Sequence, residues 1–227
     1  MAQLFDEYRT TYNDTVQDSI GFSGLKHDFF LQAKVDILAG LVAEKLAAGP
    51  VRALDIGCGV GALHPFLKPV LPHLSGCDIS HESVDQARQN NPWVGYTAYD
   101  SPRLPYADAC FDLAFAICVV HHVPPAEWPT FFAEMKRVLR PGGVACIIEH
   151  NPFNPLTRLA VLRCPFDEDA VLIRPGKTEA LLRQQGFASI ESEHFLLFPT
   201  ARPAFRSIER RLSQIPLGAQ YACSARA

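Results

Sequence analysis

Seven residues near the first quarter of the chain carry the clearest chemistry: Asp55-Ile56-Gly57-Cys58-Gly59-Val60-Gly61 runs a carboxylate into three glycines at alternate positions. Glycine has no Cβ, so such a segment can turn sharply through positive φ and let a ligand lie against its backbone. The spacing therefore predicts a nucleotide-type cofactor loop. Asp78 follows Gly57 by about 20 residues, the offset at which an acid meets ribose hydroxyls, and a carboxylate that only accepts hydrogen bonds suits two O–H donors.

The glycines alone leave two ligands open, because Gly57, Gly59 and Ala62 also satisfy the dinucleotide fingerprint of a nicotinamide-dependent oxidoreductase. Asp55 favours the other. A carboxylate just ahead of the loop repels a pyrophosphate and attracts a cationic amino-acid group, such as the one S-adenosylmethionine carries. A cofactor-binding module without turnover is the third reading.

The elements that must position these residues follow from periodicity. Leu31, Val35, Leu38, Val42 and Leu46 recur at three- and four-residue steps and predict a helix over 25–48, closed by Gly49-Pro50. Strands are expected at 51–56, 76–79, 94–99, 111–119, 144–149, 187–198 and 220–225. The intervening helices are expected at 61–71, 80–90 with Ser80 as N-cap, 126–139, 178–185 and 203–214. Segment 111–119 is almost wholly apolar, as in a parallel strand covered on both faces. The βαβ alternation gives an α/β, Rossmann-like doubly wound sheet with helices on both faces. Arg140-Pro141-Gly142-Gly143 reads as a stop before the fifth strand, and 151–175 as an irregular or short-helical insertion on the substrate side.

Composition sets the outer limits. The chain has 227 residues, 48% apolar and 20% charged, with 21 basic and 24 acidic side chains for a net charge of −3. That balance gives no broad field for polyanions, so nucleic acid is not an expected partner. No apolar run is long enough to span a bilayer, and residues 1–7 lack the pattern of a secretory signal; a cytoplasmic protein is expected. Seven cysteines with no two-residue spacing read as reduced, mostly core thiols. Without repeats or linkers, 1–227 reads as a single domain: an N-terminal helical cap (1–50), a cofactor-binding core (51–150), and the insertion with the C-terminal strands (151–227).

Four ordered blocks within 51–150 then carry a resemblance: the Asp55–Gly61 loop; Cys77-Asp78-Ile79-Ser80; Leu104-Pro105-Tyr106 with Phe111-Asp112-Leu113 and Val120-His121-His122-Val123-Pro124; and Leu139-Arg140-Pro141-Gly142-Gly143. The chain resembles the class I S-adenosylmethionine-dependent methyltransferases, particularly the branch of quinone-biosynthesis C-methyltransferases. That resemblance implies a seven-stranded, mostly parallel sheet with an antiparallel last strand, and S-adenosylmethionine as cofactor with S-adenosylhomocysteine as product. It also implies that Asp55, Gly57, Gly59 and Gly61 border the methionine part, Asp78 and Ile79 the ribose, Asp100 and Ser101 the adenine edge, and the Ile117 backbone the amino group.

The expected chemistry is in-line displacement at the sulfonium methyl by a small organic acceptor, for which Phe153, Leu156, Phe166, Phe195 and Phe198 suggest an apolar or aromatic pocket. His150, at the end of the fifth strand, is the candidate base, with Asn151 and Asn154 as candidate holders of a substrate hydroxyl. His121 and His122 have no carboxylate or cysteine at ligand spacing, so no metal is expected. Tyr8, Tyr12, Phe22, Lys26, His27 and Phe29 lie where a lid could form, and Arg202, Arg206 and Arg210 recur every fourth residue as a basic helix face. Oligomeric state is left open.

Overall fold

The computed structural model describes residues 12–47, 49–198, 200, 205, 208–209 and 211–227. Tyr8 and the Arg202, Arg206 and Arg210 face lie outside the described residues, as do the side chains of residues 12–14.

Among the described residues two α-helices precede the sheet, α1 (Tyr12–Ile20) and α2 (His27–Lys45). The rest alternates: β1 (Arg52–Ile56), α3 (His64–Leu67), β2 (His73–Asp78), α4 (His81–Asn90), β3 (Gly95–Ala98), β4 (Phe111–Ile117), α5 (Trp128–Val138), β5 (Leu139–His150), α6 (Pro155–Arg163), α7 (Pro175–Gln184), β6 (Ala188–Phe195) and β7 (Gln220–Arg226). The seven strands form one sheet in the order β3-β2-β1-β4-β5-β7-β6. The β1–β2, β1–β4, β2–β3 and β4–β5 pairs are parallel, and β7 runs antiparallel to both of its neighbours. This is the doubly wound, mostly parallel architecture that the alternation and the resemblance implied.

Alternate residues of each central strand feed opposite cores. Ala53, Leu113, Phe115 and Ile148 pack with Leu31, Val35 and Leu38 of α2 and Val84 of α4 on one face. Leu54, Ile56, Ala114, Ala116 and Ile147 pack with Phe132 and Met135 of α5 and Leu181 of α7 on the other. Double coverage is the reason β4 has no polar alternation. Ser80 caps α4, its hydroxyl accepting from the Ser83 amide at 3.0 Å.

The structure redraws two boundaries and keeps the short-helical insertion. The helix expected over 61–71 shrinks to the single turn α3, which Pro65 enters at its first positions. The Arg140-Pro141-Gly142-Gly143 segment does not stop the chain ahead of β5 but lies inside it: pairing runs from Phe111↔Leu139 to Leu113↔Val144 across a register shift, and Gly142 absorbs the irregularity at φ +78°. The insertion is ordered around α6 and a 3₁₀ turn at Pro165–Asp167, and the Val171 amide bonds the His121 carbonyl at 2.8 Å, tying it to the segment after β4.

Candidate functional site

The glycine loop leaves β1 with Gly57, Gly59 and Gly61 at φ of +78°, +50° and +68°. Their reasons for being glycine differ. A Cβ on Gly57 would stand 2.5 Å from the Val119 side chain, and one on Gly61 would strike the Tyr96 hydroxyl at 2.6 Å and the Asn91 amide at 2.8 Å. A Cβ on Gly59 would meet nothing within 4 Å. Two glycines thus admit protein neighbours, while the middle one faces open space at the carboxyl ends of the strands, where a ligand of this fold lies.

Four of the loop's amides are already used. Gly57 and Cys58 donate to the Cys77 carbonyl at 2.8 and 3.1 Å, Gly59 donates to Asp78 Oδ2 at 2.8 Å, and Gly61 donates to the Cys58 carbonyl at 3.0 Å. A pyrophosphate seat needs such amides turned outward at the start of a sustained helix; here they turn inward and the helix is one turn long.

Carboxylates stand around the loop. Asp55 is buried, and its Oδ2 lies 2.9 Å from His64 Nε2, whose Nδ1 meets the Tyr96 hydroxyl. Asp78 Oδ1 also accepts from the Ser80 amide at 2.9 Å, so this carboxylate braces both the loop and the start of α4. Burial pushes the Asp78 carboxyl up against the lowering effect of those amides. Beside it Ile79 exposes an apolar side chain, and Asp100 at the end of β3 is exposed, 3.2 Å from His81 Nε2. The neighbouring Ser101 hydroxyl accepts from the Arg103 amide at 3.1 Å. Ile117 ends β4 two residues before Val119. The predicted cofactor residues therefore share the carboxyl ends of β1–β4. A cavity of about 330 Å³, lined by Gln17, His27, Leu31, Ala62 and Phe66, adjoins the loop's exit beneath α2.

A second assembly occupies the ends of β4 and β5. Cys118 adopts φ +56°, and its amide bonds the Ile148 carbonyl at 2.8 Å. Burial raises the Cys118 thiol, yet the Lys34 ammonium and the hydrogen-bonded His150 ring outweigh it and hold the thiol down to about 7. Burial likewise lowers His150, but the Cys118 sulfur more than offsets it and the net direction is upward. Gln220 Nε2 lies 3.4 Å from Cys118 Sγ, while its Oε1 is buried with no hydrogen-bond partner among the described residues.

Next to His150 the buried Glu149 receives three donors: the Val119 and Val120 amides at 3.0 and 2.7 Å on Oε1, and His121 Nδ1 at 2.6 Å on Oε2. His121 Nε2 lies 3.3 Å from Asp167 Oδ1, and His122 Nε2 lies 3.4 Å from the same oxygen. Desolvation opposes charge on both Glu149 and His121, but their mutual attraction prevails, lowering the acid and raising the imidazole. Burial, then His121, drives His122 down to about 4.

Some expectations fail here for physical reasons. Asn151 and Asn154 hold no room for a substrate: Asn151 Nδ2 donates to the Pro216 and Gly218 carbonyls, and Asn154 caps α6 while donating to the Leu217 carbonyl. Irregular backbone at 215–219 leaves carbonyls that these amides satisfy. Phe195 packs into the core and Phe166, within the insertion, is buried, whereas Phe153 and Leu156 are exposed. Sequence reading missed Lys34, Cys118, Glu149, Asp167 and Gln220. Cys118 alone carried a local signal, as a thiol immediately after an apolar strand.

Residues 54–147 match the family model described as a methyltransferase domain. An uncharacterized methyltransferase of Synechocystis is 30% identical over 155 residues, covering 66% of this chain and 73% of that protein. A demethylmenaquinone methyltransferase of Beutenbergia cavernae is 29% identical over 164 residues, 70% of this chain and 62% of the relative. In fold, a Thermotoga maritima S-adenosylmethionine-dependent methyltransferase, titled as a possible histamine N-methyltransferase, superposes with TM-score 0.69 at 17% identity over 100% of this chain and 99% of its own. With the loop geometry, these likenesses set aside the nicotinamide alternative: the chain belongs to the class I S-adenosylmethionine-dependent methyltransferases.

Proposed function

We propose that the protein methylates a small organic acceptor seated above the carboxyl ends of β4 and β5. The observation that carries this reading is the juxtaposition of two facilities: open space at Gly59, whose amide is held by Asp78, and a largely buried polar group of side chains at the ends of β4 and β5, the next strands of the sheet. When bound, S-adenosylmethionine supplies an electrophilic methyl whose bond to sulfur breaks as the bond to the acceptor forms, the electron pair going to sulfur.

The protein's part is mainly alignment. Asp78 accepts from the ribose hydroxyls, exchanging its present Gly59 bond for the ligand's; Ile79 covers the ribose side; Asp100 and Ser101 border the adenine. Asp55 supplies negative potential for the ammonium group, and the Ile117 backbone receives it. Orientation of two reactants contributes about 7–11 kcal/mol, against about 3–5 kcal/mol for a general base. His150 takes the acceptor's proton, and its bond to Cys118 fixes the ring. The unpartnered Gln220 Oε1 offers an acceptor to a substrate hydroxyl or amine. The exposed Phe153 and Leu156 favour an acceptor with an apolar or cyclic body, in keeping with the quinone named for one relative.

The test pairs binding with turnover. S-adenosylhomocysteine is expected to bind and protect the chain from heat while NAD(H) does not, and methyl-deuterated donor is expected to label one product from a metabolite panel. His150→Ala should lower kcat by about 10²- to 10⁴-fold with little change in cofactor affinity. Label transfer that is equally fast in that variant would remove His150 from the chemistry; no transfer to any acceptor, despite tight binding, would leave a binding module.

A further inference from the structure

We infer that His121, His150 and Asp167 form a binding site for a divalent first-row transition ion such as Zn²⁺. This goes beyond the methyl-transfer reading and does not depend on its cofactor half; an ion on His150 takes the ring nitrogen that would receive the acceptor's proton, so with the ion bound His150 is a ligand and not the base. One donor atom from each of the three side chains lies within 4.8 Å of the other two, although the residues come from the turn after β4, the end of β5 and the insertion.

Three geometric facts favour an ion. First, His121 is held as a metal-binding imidazole is held: Nδ1 is committed to Glu149 at 2.6 Å, which leaves Nε2 to present its lone pair on the far side. Second, that lone pair faces Asp167 Oδ1 at 3.3 Å. A lone pair there and the Asp167 carboxylate are brought together by a metal ion, just as a proton on Nε2 would bring them together as an ion pair. Nitrogen and oxygen ligands bound at roughly 2.0–2.1 Å across a tetrahedral angle stand about 3.3 Å apart, so these atoms already have the spacing of one ligand-polyhedron edge. Third, the anchoring partners are rigid. Glu149 takes two backbone amides besides His121, and Val171 bonds the His121 carbonyl, so the segment bearing Asp167 is fixed to the turn bearing the histidine.

The donor set selects the ion. Two imidazole nitrogens and one carboxylate oxygen suit Zn²⁺ and its first-row neighbours; Mg²⁺ and Ca²⁺ favour all-oxygen shells. Three protein donors leave a coordination position open, and His150 and Asp167 are only half-buried, so water or an acceptor oxygen can reach it. The rival occupant of the gap is a proton, which would make His121 an imidazolium clamped between Glu149 and Asp167.

The experiment titrates Zn²⁺ into the full chain after chelator treatment, in competition with a chromophoric chelator, and records the visible d–d absorption of bound Co²⁺. One equivalent is expected. Asp167→Asn and His150→Gln should each weaken it about tenfold or more, Glu149→Gln about 10- to 100-fold through His121, and exposed His73→Gln not at all. Circular dichroism of each variant separates lost binding from lost folding. S-adenosylhomocysteine affinity, measured on the same samples, reports on the methyltransferase reading independently. No stoichiometric binding by the wild-type chain, or binding unchanged in both Asp167→Asn and His150→Gln, overturns the inference in favour of the proton.

Discussion

The two ends of the site are built in opposite ways. At the cofactor end, Asp55, Gly57, Gly59 and Gly61 are contiguous, and Asp78 reaches the same loop through one bond to the Gly59 amide. At the ends of β4 and β5, Lys34, Cys118, His121, Glu149, His150, Asp167 and Gln220 come from five separate stretches of chain. Contact at the first is enforced by a turn. At the second it exists only because the sheet order sets β4 beside β5 and β5 beside β7. The first is robust to changes elsewhere in the fold; the second is sensitive to any of its members.

The sharpest way to break this contrast is to remove the hub of the dispersed end. Glu149→Ala leaves His121 and two amides without their acceptor in a buried setting, and is expected to cost about 3–5 kcal/mol in chemical unfolding. A loss under about 1 kcal/mol would mean that the assembly is not a unit.

Next come the glycines. Gly57→Ala pairs the cost of a positive φ, about 1–2 kcal/mol, with a methyl driven into Val119 that should cost about 1–3 kcal/mol more. Gly59→Ala meets no protein atom; its positive φ should cost about 1–2 kcal/mol, and its larger effect should be on S-adenosylhomocysteine affinity by calorimetry. Equal stability losses with equal affinities would dissolve the distinction drawn between them.

Asp78→Asn keeps one acceptor oxygen and removes the charge. Cofactor affinity should fall about tenfold, and because the two carboxylate oxygens accept the Gly59 and Ser80 amides, the new NH2 leaves one of those donors unpaired at a cost of about 1–3 kcal/mol in stability. The smallest effect is expected at Asn154→Ala, where loss of the α6 N-cap should cost about 1 kcal/mol and leave cofactor affinity untouched. A large affinity change there would link the insertion to the cofactor end.

What the residues disclosed in advance follows the same division. The loop, the acid about 20 residues on, the Ser80 cap and the buried run of β4 are local signals, and each appears where periodicity placed it. The Pro141-Gly142-Gly143 segment misled because a turn motif and a bulge inside a strand use the same residues. Adjacent His121 and His122 looked poor in ligands because Asp167 lies 46 positions away in sequence and is delivered only by the folded insertion. Asn151 and Asn154, plausible as substrate holders by type, are consumed by carbonyls at 216–218 that no spacing rule reveals.

The antiparallel insertion of β7 between β5 and β6 imposes an order on biosynthesis. While a ribosome is still adding residues before 220, β6 has no neighbour and one flank of β5 stays open, so the nascent chain displays unsatisfied edges on both strands that invite pairing with other polypeptides. The same late segment brings Gln220 beside Cys118. Arrival of β7 therefore covers the flank of β5, pairs one flank of β6 and sets Gln220 beside Cys118 in a single event.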